Sequence, residues 1–152
     1  MKKLFNPGIH QENINYALLF LRIAIGVMML THGWGKLVTL FGNDPIQFAD
    51  PFGMGPAASL GLSVFAEVFC SILLIFGFLT RFAAITLIIN MSTAVIFAHA
   101  ADPFSGKEMA LLYLTVSVTI LSAGAGKFSL DNLLYNKIRD EEPEGEPALE
   151  RR

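Results

Sequence analysis

Cysteine is almost absent from this 152-residue chain, where Cys70 stands alone. One thiol excludes intrachain disulfides, CxxC dithiols and thiolate-held metal or iron–sulfur clusters. Charge is scarce too, at 16% of residues, and the acidic share crowds toward the C-terminus. No basic stripe of the kind that tracks a phosphate backbone is present, so nucleic acid is not an expected partner. Period-two alternation is missing, which argues against strands, and there is no glycine-rich nucleotide motif. The N-terminal stretch, Met1 to Gly8, has no short apolar run followed by a small-residue cleavage site, so no signal peptide is expected.

What fills the chain instead is apolar, at 53% of residues. A soluble domain of this length needs far more polar surface. The apolar residues gather into four runs, about Tyr16 to Leu40, Ala57 to Leu79, Phe82 to Ala100 and Lys107 to Ala125. At about 1.5 Å of rise per residue, each is long enough to cross the hydrocarbon of a bilayer. The expected fold is all-α: an integral membrane four-helix bundle. Residues 1–15 read as a polar lead-in and 16–128 as the membrane domain. Residues 129–139 read as an amphipathic helix capped by Ser129 and lying along the interface. Residues 140–152 form an acidic, Pro- and Gly-broken tail expected to be disordered.

Lys and Arg in the short loops set the expected orientation. Lys2, Lys3, Arg81, Lys127, Lys137 and Arg139 fall on one side, whereas Lys36 and Lys107 share the other with Asp44, Asp50 and Asp102. Both termini should therefore be cytoplasmic, in a multi-pass protein of the inner membrane. The connection Phe41–Pro56 becomes the one sizeable outer loop. Its Gly, Pro and aromatic residues suit a segment folded back on the membrane or over a cavity mouth.

Glu67 lies near the middle of the second run, where a short carboxylate cannot reach water. An ionisable group at that depth must be paired, protonated or beside a cavity. Candidates to answer it are His32 and Lys36 on the first span, His99 on the third and Glu108 at the start of the fourth. Arg22 alone lies in the inner half, either snorkelling or pairing with Glu67 across the bundle. Ser63, Glu67, Cys70 and Ser71 share one helical face, and Glu108, Thr115, Thr119 and Ser122 another; both stripes are expected to turn inward. Asn90 and His99 fall about half a turn apart at 100° per residue, so a regular helix cannot aim both at the centre.

Each candidate has a plain reading beside the functional one. Lys36 and Arg22 can snorkel. Ser105 to Glu108 matches the S-x-x-E capping box, so Glu108 can simply finish a helix. His32 and His99 can be interhelical glue. Two imidazoles could also ligate a metal or a haem, but no spacing motif accompanies them and neither is expected.

His32-Gly33-Trp34-Gly35-Lys36, Ala66-Glu67, Gly77 to Ala84, His99, Glu108 and Gly124 to Asp131 together resemble the DoxX family, in the same order along all four spans. Lys127 stands where that family's closing motif would have Arg. The resemblance implies a small membrane protein associated with quinone-linked oxidation of sulfur compounds. On that reading the outer half of the bundle holds a quinone-type ligand, with Glu67 carrying protons, His32 and His99 bonding the ring oxygens, and Lys36, Glu108 and Arg22 contributing to ligand binding. Electrons would come from a redox partner protein. The alternative is a non-catalytic scaffold, chaperone or small-solute carrier, the last of these needing a homodimer to build a path.

Overall fold

The computed structural model describes residues 11–141, all of whose regular structure is helical. Four helices are long and apolar enough to cross a membrane: α1 (Gln11–Leu40), α2 (Pro56–Phe76), α3 (Thr80–Ala98) and α4 (Phe104–Ala123). A fifth, α5 (Leu130–Glu141), follows. Residues 11–15 belong to α1 rather than to a lead-in, and the acidic tail beyond Glu141 lies outside the described residues.

Local chemistry sets most of the boundaries. Pro56 opens α2, where a missing N–H costs nothing. Gly77 closes it at φ 67°, with Phe78 N–H donating to Leu73 O (2.9 Å) and Gly77 N–H to Leu74 O (3.1 Å), a Schellman closure. Ser129 caps α5 as its sequence suggests, its Oγ accepting from Asn132 N–H at 3.1 Å. The capping box at Ser105 does not form. α4 starts earlier, at Phe104 with Pro103 in the N-cap position, and this leaves Ser105 inside the first turn with no capping bond.

Each spanning helix packs on its sequence neighbour, and α4 closes the bundle against α1. Gly26 and Gly33 let α1 approach α2 closely. A Cβ on Gly33 would stand 2.7 Å from Val68 Cγ2 and 2.9 Å from Glu67 Cβ. Met29, Cys70, Leu74, Ala84, Leu87 and Ile120 fill the centre. Phe20, Val27, Ile72, Phe76, Ile85 and Leu112 remain exposed around the outside, as a hydrocarbon-facing belt requires.

Two departures from regular expectation shape the interior. The hydroxyl stripe of α4 faces outward, not inward. Thr115, Thr119 and Ser122 are exposed and donate to the carbonyls of Leu111, Thr115 and Val118 at 2.8–2.9 Å. A hydroxyl satisfied by its own helix needs no neighbour, so Ala110, Tyr113, Ser117 and Ile120 take the buried face instead. The second departure is a π-helical turn in each of two helices, Phe65–Phe69 in α2 and Ala94–Ala98 in α3.

Candidate functional site

Glu67 sits in the α2 π turn at 2% exposure. Its Oε1 accepts from Lys36 Nζ of α1 (2.5 Å), Asn90 Nδ2 of α3 (3.0 Å) and Ser63 Oγ one turn back (3.2 Å). Lys36 Nζ also donates to Ser63 Oγ at 3.0 Å and stands 5.6 Å over the Phe48 ring. Three donors converge on one oxygen, while Glu67 Oε2 is buried with no partner. Charge-assisted bonds to a desolvated carboxylate are the strong kind, but half of this acceptor remains unanswered.

Beside this cluster lies a cavity of about 430 Å³ between α2, α3 and the long loop. Lys36, Ser63, Glu67 and Asn90 form its polar end; Leu62, Phe65, Ile89 and Phe97 are among its apolar walls. Pockets of this size with few polar groups suit small amphiphilic ligands. The loop roofs it. Asp50 Oδ1 accepts from Met54 N–H (3.0 Å) and Ser59 Oγ (2.7 Å), and Oδ2 from Gly55 N–H (2.7 Å). The Ser59 hydroxyl, followed by the Gly55 N–H, holds the Asp50 carboxyl below its usual range.

The fold treats the six candidate residues unequally. Lys36 and Glu67 meet directly, and His99 lines the same cavity at its loop end, its Nδ1 2.7 Å from Asp102 Oδ2. His32 does not line it; this exposed ring meets Tyr113 edge-on at 5.6 Å instead. Glu108 is exposed and lies outside the cavity lining. Arg22 neither snorkels nor pairs with Glu67. It is fully buried at the opposite end, where Nη2 donates to Phe128 O and the guanidinium lies against Gly77 and Ser129. Its hydrogen-bond partner lies more than a hundred positions away, so spacing along one helix could not reveal it.

Asn90 joins the site although periodicity sets it against His99. The π turn at Ala94–Ala98 lies between them and carries one residue more than an α turn, which takes about 100° off the rotation separating them. Both residues therefore reach one cavity. An amide in the middle of an apolar run was the available signal for Asn90. Tyr113 had none, yet its hydroxyl is buried without a partner.

Chemically, the cluster can hold a proton on a carboxylate screened from water. It can also present ammonium and amide donors to a carbonyl-bearing ligand. Among the described residues no group of three or more His, Cys, Asp or Glu is placed to hold a metal ion.

Comparison with known proteins places the chain in a family. The DoxX profile matches residues 17–100. An uncharacterized protein of Haemophilus influenzae is 35% identical over 80% of this chain and 93% of its own length. A second from that organism is 36% identical over 62% of this chain and 66% of its own. The inner membrane protein YqjF of Escherichia coli is 30% identical over 90% of this chain and 99% of its own. No solved structure matches. With the profile covering more than half of the chain, and with four helices of membrane-crossing length and composition, this protein belongs to the DoxX family of membrane proteins.

Proposed function

We propose that the protein is the proton-handling membrane component of a quinone-linked oxidoreductase, with the quinone ring held in the cavity between α2 and α3. The observation that carries this reading is the half-satisfied Glu67 carboxylate at the polar end of an otherwise apolar cavity. A quinone supplies two-electron, two-proton chemistry when bound. Lys36 and Asn90 offer donors to a ring oxygen, and Glu67 holds a proton next to it. His99, paired with Asp102 at the loop end, is placed to exchange protons with water. Electrons come from a partner protein, because one cysteine cannot form a dithiol or a cluster.

The loop end faces outward and both termini face the cytoplasm of a bacterial inner membrane. The excess of Lys and Arg on the terminal side and the likeness to an inner membrane protein support this placement. α5 lies along the cytoplasmic interface. Leu133, Leu134, Tyr135 and Ile138 leave its apolar side exposed, which suits a membrane surface.

A second reading has its own support. The Lys36–Glu67–Asn90 cluster ties α1, α2 and α3 together, which a non-catalytic scaffold also needs. Gentle purification followed by mass spectrometry of extracted small molecules separates the two readings. A bound quinone in the wild type, lost in Glu67→Gln while the variant stays folded, supports the first. An empty cavity with a stoichiometric co-purifying protein supports the second.

A further inference from the structure

We propose that the cavity is filled from the bilayer, through a portal between α2 and α3 framed by Leu62, Phe65, Ile89 and Phe97, and that its ligand is an amphiphile whose tail stays in lipid. This rests on the cavity being the ligand site, as above, and adds the route and the kind of molecule.

The four framing side chains are 55%, 39%, 59% and 50% exposed while also lining the cavity. They continue the belt of exposed apolar residues on the same two helices, including Phe69, Ile72, Phe82 and Ile85. In a bilayer that surface meets acyl chains, so the wall between cavity and hydrocarbon is incomplete. The cavity runs along α3 from Thr86 to His99, about 20 Å at the usual helical rise. Most of its height therefore lies at hydrocarbon depth.

The long loop covers the water side. Phe52 packs 6.0 Å from Phe97, and Lys36 lies over Phe48. The three hydrogen bonds to Asp50 pin the segment that carries both rings. Both π turns lie at the portal. Phe65 and Glu67 come from one, Phe97 and Ala98 from the other, and all four line the cavity. A π turn interrupts regular helix packing and recurs at functional sites. Phe65 also stacks on Phe69 at 5.1 Å and meets Phe82 edge-on at 6.5 Å, forming an aromatic sill on the lipid side. Polar donors on the inner wall and lipid at the portal select a polar head joined to an apolar tail.

The test uses the full chain in nanodiscs with two probes. One is a phospholipid bearing a photoreactive diazirine in its acyl chain, with the adducts mapped by peptide mass spectrometry. Wild type should be labelled inside the cavity at Asn90 or Thr93, and Ile89→Trp, which narrows the portal from an exposed position, should lose that labelling at least fivefold. The second probe is a decyl-tailed benzoquinone. Its entry rate should fall about tenfold in Ile89→Trp and stay unchanged in Asp50→Asn, which loosens the roof. Labelling confined to the outer belt overturns the portal, as does entry accelerated by Asp50→Asn and indifferent to Ile89→Trp. Acyl labelling inside the cavity without any quinone binding leaves the portal standing and rejects the quinone reading alone.

Discussion

Glu67 and Lys36 are unequal partners. The carboxylate side chain is 3% exposed and the ammonium side chain 32% exposed. Removing a partner hurts most when the group left behind cannot reach water. Lys36→Ala should therefore lower stability by about 3 kcal/mol, and Glu67→Gln by distinctly less, because the freed Lys36 can hydrate. The double variant should recover most of the Lys36→Ala loss, as a buried charge is no longer stranded. Thermal unfolding of the four proteins in detergent checks the order. Residue identity and depth made Glu67 and Lys36 legible in the sequence. Arg22 was legible only as a charge in an apolar run, since its carbonyl partner comes from the far end of the chain. Glu108 falls outside the cavity lining, and a carboxylate at the head of a helix looks the same in sequence whether it meets a cavity or solvent.

Among the elements, the turn between α2 and α3 is fixed from outside itself. Asp131, in the first turn of α5, accepts from Leu79 N–H (2.8 Å) and Thr80 N–H (2.9 Å), and its own N–H donates to Gly77 O (2.9 Å). It thus caps α3 from another helix. Asp131→Ala should cost about 2 kcal/mol and Asp131→Asn about half that, since Asn keeps one acceptor oxygen; denaturant titration gives both numbers. At the other end of the bundle, the Asp50 clasp carries a pH dependence. Its carboxyl is held below the ordinary carboxylate value, so the contribution is present above that value and is lost as pH falls through the lower folded one. Amide exchange at Met54 and Gly55 should therefore accelerate relative to neighbouring loop amides below about pH 4. Asp50→Asn should remove that step.

The helical runs themselves were plain from the sequence, to within a few residues at each end. The π turns were not, because nothing in Phe65–Phe69 or Ala94–Ala98 distinguishes an i→i+5 turn from an α turn. Missing the second of them is why Asn90 and His99 seemed irreconcilable. The α4 hydroxyls misled for a different reason: helical spacing identifies a shared face but not which way that face turns, and back-bonding to Leu111, Thr115 and Val118 makes the outward answer affordable.

For the molecule as a whole, the two ends of the bundle do different work. Arg22, Gly77, Phe128 and Asp131 knit the terminal end together, whereas the cavity occupies the end that carries the long loop. The proposed orientation can be read directly from cysteine accessibility in a Cys70→Ser background, the native thiol being fully buried. Asp44→Cys should react with a membrane-impermeant maleimide on intact spheroplasts, and Lys137→Cys only after permeabilisation. The reverse pattern would invert the topology while leaving the fold untouched.

Because the cavity extends to the long-loop end of the bundle and stops short of the terminal end, the two leaflets of the membrane are not equivalent to this protein. Through the proposed portal, a tailed molecule dissolved in the sheet of lipid nearest the long loop has the shorter way in; its twin in the opposite sheet must first flip across. The supply of ligand is then governed by lipid asymmetry as much as by total concentration.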